Sequence, residues 1–195
     1  HSIQDGKRQH RYRHDKDVGY QMSDWALISE STASGASSVS FTDLTGYKIF
    51  KFVFVDVNPV DDGAELRVEG SVSGSFGVTK TTSRFYAQHN ESGSTSGLHY
   101  STGGDLAQST SPQMLTNNIG SSSDESCVGE LHLFSPSSTS KVKHFYSRFQ
   151  TAHSLDFSVD TYVAGYWNTT SAIDGIRYTM TSGNFDGQIH CFGVS

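Results

Sequence analysis

The sequence predicts an all-β protein, a two-sheet antiparallel β-sandwich of jelly-roll type. Three observations lead there. Apolar residues alternate with polar ones in short runs, and no stretch shows the 3.6-residue period of a helix. Turn residues punctuate those runs at short intervals, giving about ten strands, as sandwiches and barrels require. Ser and Thr make up about a quarter of the 195 residues beside 19 Gly, while aromatics still reach 12%. That balance suits short strands with a hydroxyl-rich surface and is too rich in aromatics for a disordered chain.

The strands follow from the pattern in order. Trp25–Leu27 and Val39–Phe41 alternate with polar neighbours. Tyr47–Val57 is apolar on both faces, with Tyr47, Ile49, Val53, Val55 and Val57 on one and Phe50, Phe52 and Phe54 on the other. A strand covered on both sides reads this way, so it is placed centrally. Asn58-Pro59 ends it, and Asp61-Asp62-Gly63 supplies turn chemistry. Ala64–Val72 then alternates, with Leu66, Val68 and Val72 inward, which predicts an antiparallel hairpin with the preceding strand. Arg84–Gln88, Leu98–Tyr100, Met114–Ile119, Glu130–Phe134, Lys141–Gln150 and Phe157–Trp167 are further strands. Gly103–Leu115 has room for a helical turn, and the irregular stretch 90–126 is the kind of long loop that carries binding function. Gly175–Thr181 and Gln188–Val194 close the chain as a predicted hairpin through Gly183-Asn184, with Ile189 and Cys191 facing the core opposite Ile176, Tyr178 and Met180.

Residues 1–22 read differently, as a basic N-terminal arm or linker ahead of a sandwich domain spanning 23–195. Lys7, Arg8, Arg11, Arg13 and Lys16 outnumber Asp5, Asp15 and Asp17 there. Arg8, Arg11 and Arg13 are the candidate assembly contacts. The whole chain carries a net charge of -6, which argues against a general affinity for nucleic acid. No apolar run approaches the ~20 residues of a membrane span. Cys127 and Cys191 define no disulfide framework; Cys191 sits in an alternating run as a core thiol, and a bridge between the two is geometrically conceivable. The chain opens at His1 without a signal-peptide pattern, which leaves open an upstream segment.

Taken in order, several pieces resemble a domain of virion structural proteins of tailed bacteriophages, found in fibre, appendage or capsid-surface chains. They are Trp25–Ile28, Tyr47–Val57, Asn58–Leu66 (NPVDDGAEL), Gly129–Ser138 (GELHLFSPSS), Lys141–Gln150 and Ile176–Gly193. Together they span residues 24–195. The resemblance implies a β-sandwich at the surface of an extracellular phage particle, in contact with other virion proteins. It also implies a homo-oligomer, a trimer by the habit of fibre proteins. It implies no cofactor and no catalytic residue. A host-surface glycan is a further candidate partner for a surface of this kind.

The residues themselves carry little chemistry. No G-x-S-x-G elbow occurs; Gly93-Ser94-Thr95-Ser96-Gly97 has Thr at the nucleophile position. Asp56, Asp61 and Asp62 supply oxygens for Ca²⁺ but read more simply as turn carboxylates. No metal or other cofactor is expected. Three short strings, Glu65-Leu66-Arg67, Ala164-Gly165-Tyr166 and Gln188-Ile189-His190, echo jelly-roll polysaccharide lyases, in which a His or Tyr removes a sugar proton. Their order differs from that enzyme family, so a lyase is the second alternative. The first is a carbohydrate-binding module, in which exposed aromatics stack on sugar rings. The candidate ligand-binding rings are Tyr86, Tyr100, Tyr166 and Trp167, although Trp167 is in phase with Phe157, Val159 and Val163 and so points to the core.

Overall fold

The computed structural model describes residues 24–195. The arm, with Arg8, Arg11 and Arg13, lies outside the described residues. Within them the chain forms fourteen strands and no helix. The strands are β1 (Ala26–Ala36), β2 (Val39–Thr42), β3 (Ile49–Pro59), β4 (Leu66–Val72), β5 (Ser75–Phe76), β6 (Lys80–Asn90) and β7 (Ser96–Tyr100). They continue as β8 (Leu106–Ser109), β9 (Gln113–Met114), β10 (Cys127–Phe134), β11 (Lys143–His153), β12 (Phe157–Trp167), β13 (Gly175–Met180) and β14 (Phe185–Val194).

Two antiparallel sheets pack against each other. The larger runs β1-β14-β3-β10-β11-β12-β6-β7, with β8 also on β6. The smaller runs β2-β13-β4-β5, with β9 also on β4. The block β1-β14-β3-β10 facing β2-β13-β4-β9 has the jelly-roll order, in which successive strands alternate between sheets. Strands β11, β12, β6 and β7 widen the larger sheet beyond it.

The predicted hairpins are corrected by this topology. β4 does not pair with β3, and β14 does not pair with β13. A strand has two edges, and both edges of β3 are taken, by β14 and β10. Both edges of β14 are likewise taken, by β1 and β3. The turns at Asp61–Gly63 and Gly183 therefore cross from one sheet to the other. Gly183 sits at φ +67°, where only Gly is unstrained. The facing predicted for the last two strands survives, because β13 and β14 look at each other across the core. Ile176, Tyr178, Met180, Ile189 and Cys191 are all buried there.

β3 is internal to its sheet, but only one of its faces meets the second layer. Phe50, Phe52 and Phe54 are buried, whereas Lys51, Val53 and Val55 are half-buried. Val57 is fully buried with the phenylalanines and not with Val53 and Val55. The cause is a bulge at Asp56, which has φ +49° and coincides with register shifts against both neighbours. An extra residue flips the side-chain phase beyond it.

The core is built on aromatic contacts between the layers. Tyr178 from the smaller sheet packs on Phe52 and Phe54 at centroid distances of 5.6 and 4.8 Å, and within the larger sheet Phe54 meets Phe149 at 4.9 Å across Gly129. Cys127 and Cys191 are both free and buried, and burial pushes the Cys191 thiol up to about 12. They sit on β10 and β14, opposite Val57 and Phe52 with β3 between them, so no bridge joins them.

One segment of the stretch 90–126, residues 113–120, turns inward and joins this core, whereas most of the rest stays at the surface. Gln113, Leu115, Thr116 and Ile119 are fully buried. No helix forms between 103 and 115, where β8 and β9 follow a single turn closed by Asp105 N–H on Ser101 O. Arg84 of β6 holds the stretch down. Its Nη1 donates to Ser101 Oγ at 2.9 Å, and its Nη2 pairs with Glu65 Oε1 at 3.2 Å and contacts Thr116 O and Asn117 Oδ1.

Two lysines are buried inside the sandwich. Lys143, Trp167 and Lys80 stand side by side on β11, β12 and β6, all 0% exposed. Trp167 lies on the backbone of β4, where a Cβ on Gly70 would come within 3.0 Å of the indole. Lys143 Nζ donates to the carbonyls of Lys141 and Thr169, and Lys80 Nζ donates to Ser111 O. Burial pulls Lys80 down to about 8 from 10.5. Between those values the unfolded chain binds more protons at this site, so folding stability gains with rising pH, by about 3 kcal/mol in all. Below pH 8 the penalty is fully present. Lys80→Met is expected to melt higher than the wild type at pH 7. That advantage should shrink between pH 8 and 10.5, which melting curves of the two proteins across this range measure.

Candidate functional site

One face of the larger sheet packs on the core; the other has no second layer among the described residues. Strand alternation decides what this outer face displays. In β11, Phe145, Ser147 and Phe149 point inward, so His144, Tyr146 and Arg148 point out. In β12, Val163 and Trp167 point inward, so Tyr162 and Tyr166 point out. In β10, Leu131 and Leu133 leave Glu130, His132 and Phe134 on the outer side.

The register lines these residues up in two adjacent rows across the sheet. One row runs Tyr100, Phe85, Tyr162, Arg148, Glu130, Val53, His190, Glu30. The next runs Ser83, Ala164, Tyr146, His132, Lys51, Phe192, Leu27. With strands about 4.8 Å apart, the longer row is about 34 Å wide.

The rings touch one another along these rows. Phe85 and Tyr162 stack at 4.9 Å with planes 4° apart. His132 stacks on Tyr146 at 4.8 Å, and Phe134 meets Tyr146 at 5.6 Å. Trp25, just ahead of β1, folds over β14 and β3. Its ring lies 5.8 Å from His132, with the Lys51 ammonium 5.5 Å above it. Trp25, Lys51, Val53, His190 and Phe192 enclose an open cleft of about 310 Å³. Trp25 and Tyr146 remain 38% and 44% exposed.

The charges between the rings are neutralised in place. Arg148 grips Asp160 through two nitrogens, at 3.0 and 2.8 Å, and lies over the Tyr162 ring. Lys51 pairs with Glu130 at 3.3 Å, and His132 contacts the same carboxylate at 3.2 Å. Burial pushes the Glu130 carboxyl up, but Lys51 and His132 outweigh it and hold it below the usual range. The stacked pairs turn their faces toward one another, so the surface offers ring edges and the half-exposed Trp25 ring, interleaved with paired charges. Apolar surface set with a few fixed polar groups is the composition of ligand-contacting sites. Nothing in it resembles a nucleophile with its base.

Comparison with family models, curated proteins and solved structures finds no match to this chain.

The four predicted rings separate on it. Tyr100 is 60% exposed on the outer face opposite Phe85, its hydroxyl donating to Asp105 at 2.9 Å. Tyr166 is half-buried on the same face, edge-on to His144 at 6.1 Å. Tyr86 points to the other side of β6, half-buried and stacked on His99 at 5.0 Å. Trp167 is fully buried and drops out as a ligand contact. The centre of the face, formed by Trp25, His132, Tyr146 and Phe192, was not among the predicted residues. The signal was there: an aromatic in the polar phase of an alternating strand, such as Tyr146 between Phe145 and Ser147, must face outward.

The lyase strings do not converge. Arg67 lies on the smaller sheet and donates to Met180 O. His190 and Tyr166 share the outer face of the larger sheet but stand on β14 and β12, four strands apart. The Asp56, Asp61 and Asp62 group does not converge on a metal site either. Asp56 makes the bulge, and Asp62 Oδ1 accepts the backbone N–H of Ser121 at 3.2 Å. Among the described residues no group of three His, Cys, Asp or Glu is placed to hold an ion.

Proposed function

We propose that this chain is a non-enzymatic virion structural protein of a tailed bacteriophage, and that the outer face of its larger sheet is the surface it presents to host glycan. The aromatic rows of that face carry the reading. Rings and paired charges in register across eight strands form a surface suited to an extended polymer, whereas a catalytic site gathers its groups at one point. The ordered resemblance to phage structural domains supplies the biological setting. A free carbohydrate-binding module is the second reading, favoured by the same rows. Mass spectrometry of purified particles from the phage encoding this chain separates the two. The virion reading expects the chain at stoichiometric levels. Its absence from particles, with glycan binding retained by the purified chain, would leave the binding module.

A further inference from the structure

We propose that two copies of this chain join edge to edge through β7, continuing the larger sheet antiparallel across a two-fold axis. The partner at this edge is a second copy of the chain. The inference goes beyond the virion reading and does not depend on it, because it rests on backbone groups and side chains that one strand leaves unpaired.

β7 is the last strand on one side of the larger sheet, and no strand follows it there among the described residues. Its ladder with β6 shows which of its groups are free. Ser101 N–H donates to Arg84 O at 2.9 Å, and Asn90 N–H donates to Thr95 O at 3.0 Å. Bonded pairs alternate along an antiparallel ladder, so Gly97 and His99 are the residues of β7 that bond to β6. Ser96, Leu98 and Tyr100 therefore aim their N–H and C=O groups away from it. Among the described residues none of these groups meets a partner. The turn after β7 does not cover them. It folds toward the inner side of the sheet, where Ser101 Oγ accepts from Arg84 and Gly104 O accepts from Gln113. Sheet edges are kept from pairing by charge, proline or bulges. β1, at the opposite edge, has two register shifts and Glu30. β7 has no such protection: Ser96-Gly97-Leu98-His99-Tyr100 contains no Lys, Arg, Asp, Glu or Pro, and its register is unbroken. Its outer side is apolar as well. Leu98 is 72% exposed and Tyr100 60%, with Phe85 opposite Tyr100 at 40%.

This edge is complementary to itself. A two-fold axis at Leu98 sets Leu98 of each copy against Leu98 of the other, with Cα atoms about 5.5 Å apart. It sets each Tyr100 against Ser96 of the other copy, a large side chain against a small one. Every free N–H of the edge then meets a free C=O, and no charge of the strand faces its own sign. The axis stands perpendicular to the sheet. Both outer faces therefore look the same way, and the aromatic surface doubles in width. Such a contact is isologous and closes at two copies, where the habit of fibre proteins suggests a trimer.

Sedimentation velocity of the full chain tests this at concentrations up to about 0.1 mM, because a contact of this size sits at the weak end of interfaces. The wild type is expected to pass from monomer to dimer and no further. Leu98→Pro removes an N–H that β6 does not use, and Leu98→Lys sets two ammonium groups against each other at the axis. Each is expected to weaken dimerisation at least tenfold. Val60→Lys, exposed on the turn after β3, should leave it unchanged. Oxidation reads the register. Leu98→Cys should form a disulfide-linked dimer in oxidised glutathione, since the Cα spacing at the axis lies within disulfide range. His99→Cys should not, because that diagonal spacing is about 7–8 Å and beyond disulfide reach. Cys127 and Cys191 are buried and stay out of the reaction. Leu98 is exposed, and thermal melts within a few degrees of wild type verify folding. Three results would overturn the proposal. One is a wild type that stays monomeric throughout, which leaves the edge to a strand of another protein. The second is wild-type dimerisation by the folded Leu98→Pro and Leu98→Lys variants. The third is cross-linking through His99→Cys as complete as through Leu98→Cys. None of them bears on whether the chain is present in particles, so this proposal and the virion reading fail separately.

Discussion

Replacing Arg84 with Met is expected to cost about 3 to 5 kcal/mol of stability, the range seen when one partner of a buried ion pair is removed. Arg84 and Glu65 are 4% and 16% exposed at their side chains. The thioether fills most of the space but leaves Glu65 without its cation, and Thr116 O and Asn117 Oδ1 without their donor. Burial already raises the Glu65 carboxyl, with Arg84 opposing that rise. Without Arg84 the folded carboxyl moves further above its unfolded value. The variant then folds best with Glu65 protonated and loses stability as pH rises through that value. Its deficit against wild type should therefore be smallest near pH 4 and grow toward pH 7. Urea melts at several pH values measure this, and limited proteolysis should find new cleavage between residues 101 and 117.

Trp167→Ala is the second large effect, with an expected loss of about 3 to 5 kcal/mol from the cavity it leaves. The indole contacts Phe145 at 4.4 Å and covers the bare backbone at Gly70. Its removal also strips packing from the buried Lys80 and Lys143 on either side. Trp167→Phe should lose less than half as much, because a ring still covers Gly70. If Trp167 were a ligand contact, the alanine variant would keep its melting temperature and lose binding. The buried position predicts the reverse, a fall in melting temperature with binding retained by the fraction that stays folded.

The strands were legible wherever one face alone was apolar. Phe157–Trp167 shows it well: Val163 and Trp167 in one phase and Tyr162 and Tyr166 in the other give both the strand and its two faces. Partners were not legible, because sequence proximity suggests hairpins while strand edges decide pairing. Once β14 and β10 occupy the edges of β3, β4 has to cross to the other sheet. The bulge at Asp56 was hidden for a related reason. A single residue at positive φ leaves no mark on composition, yet it moves Val57 from one face to the other. Within 90–126, Ser- and Gly-rich composition suggested an exposed loop, whereas Gln113 accepts from the Thr82 hydroxyl and donates to the Gly104 carbonyl, and Thr116 accepts the Leu66 N–H, so their polar side chains are satisfied inside the core. The candidate face was partly legible: Tyr100 and Tyr166 lie on it. Its centre at Trp25, His132 and Tyr146 depends on three strands distant in sequence and becomes visible only through their register.

Glycan-array binding of the full chain beside its Trp25→Ala/Tyr146→Ala variant reads out the outer face itself. The wild type is expected to bind a set of surface polysaccharides, and the variant, with an unchanged melting temperature, to lose at least tenfold in affinity. Equal binding by the two proteins, or no glycan bound by the wild type, would contradict the proposed role of that face.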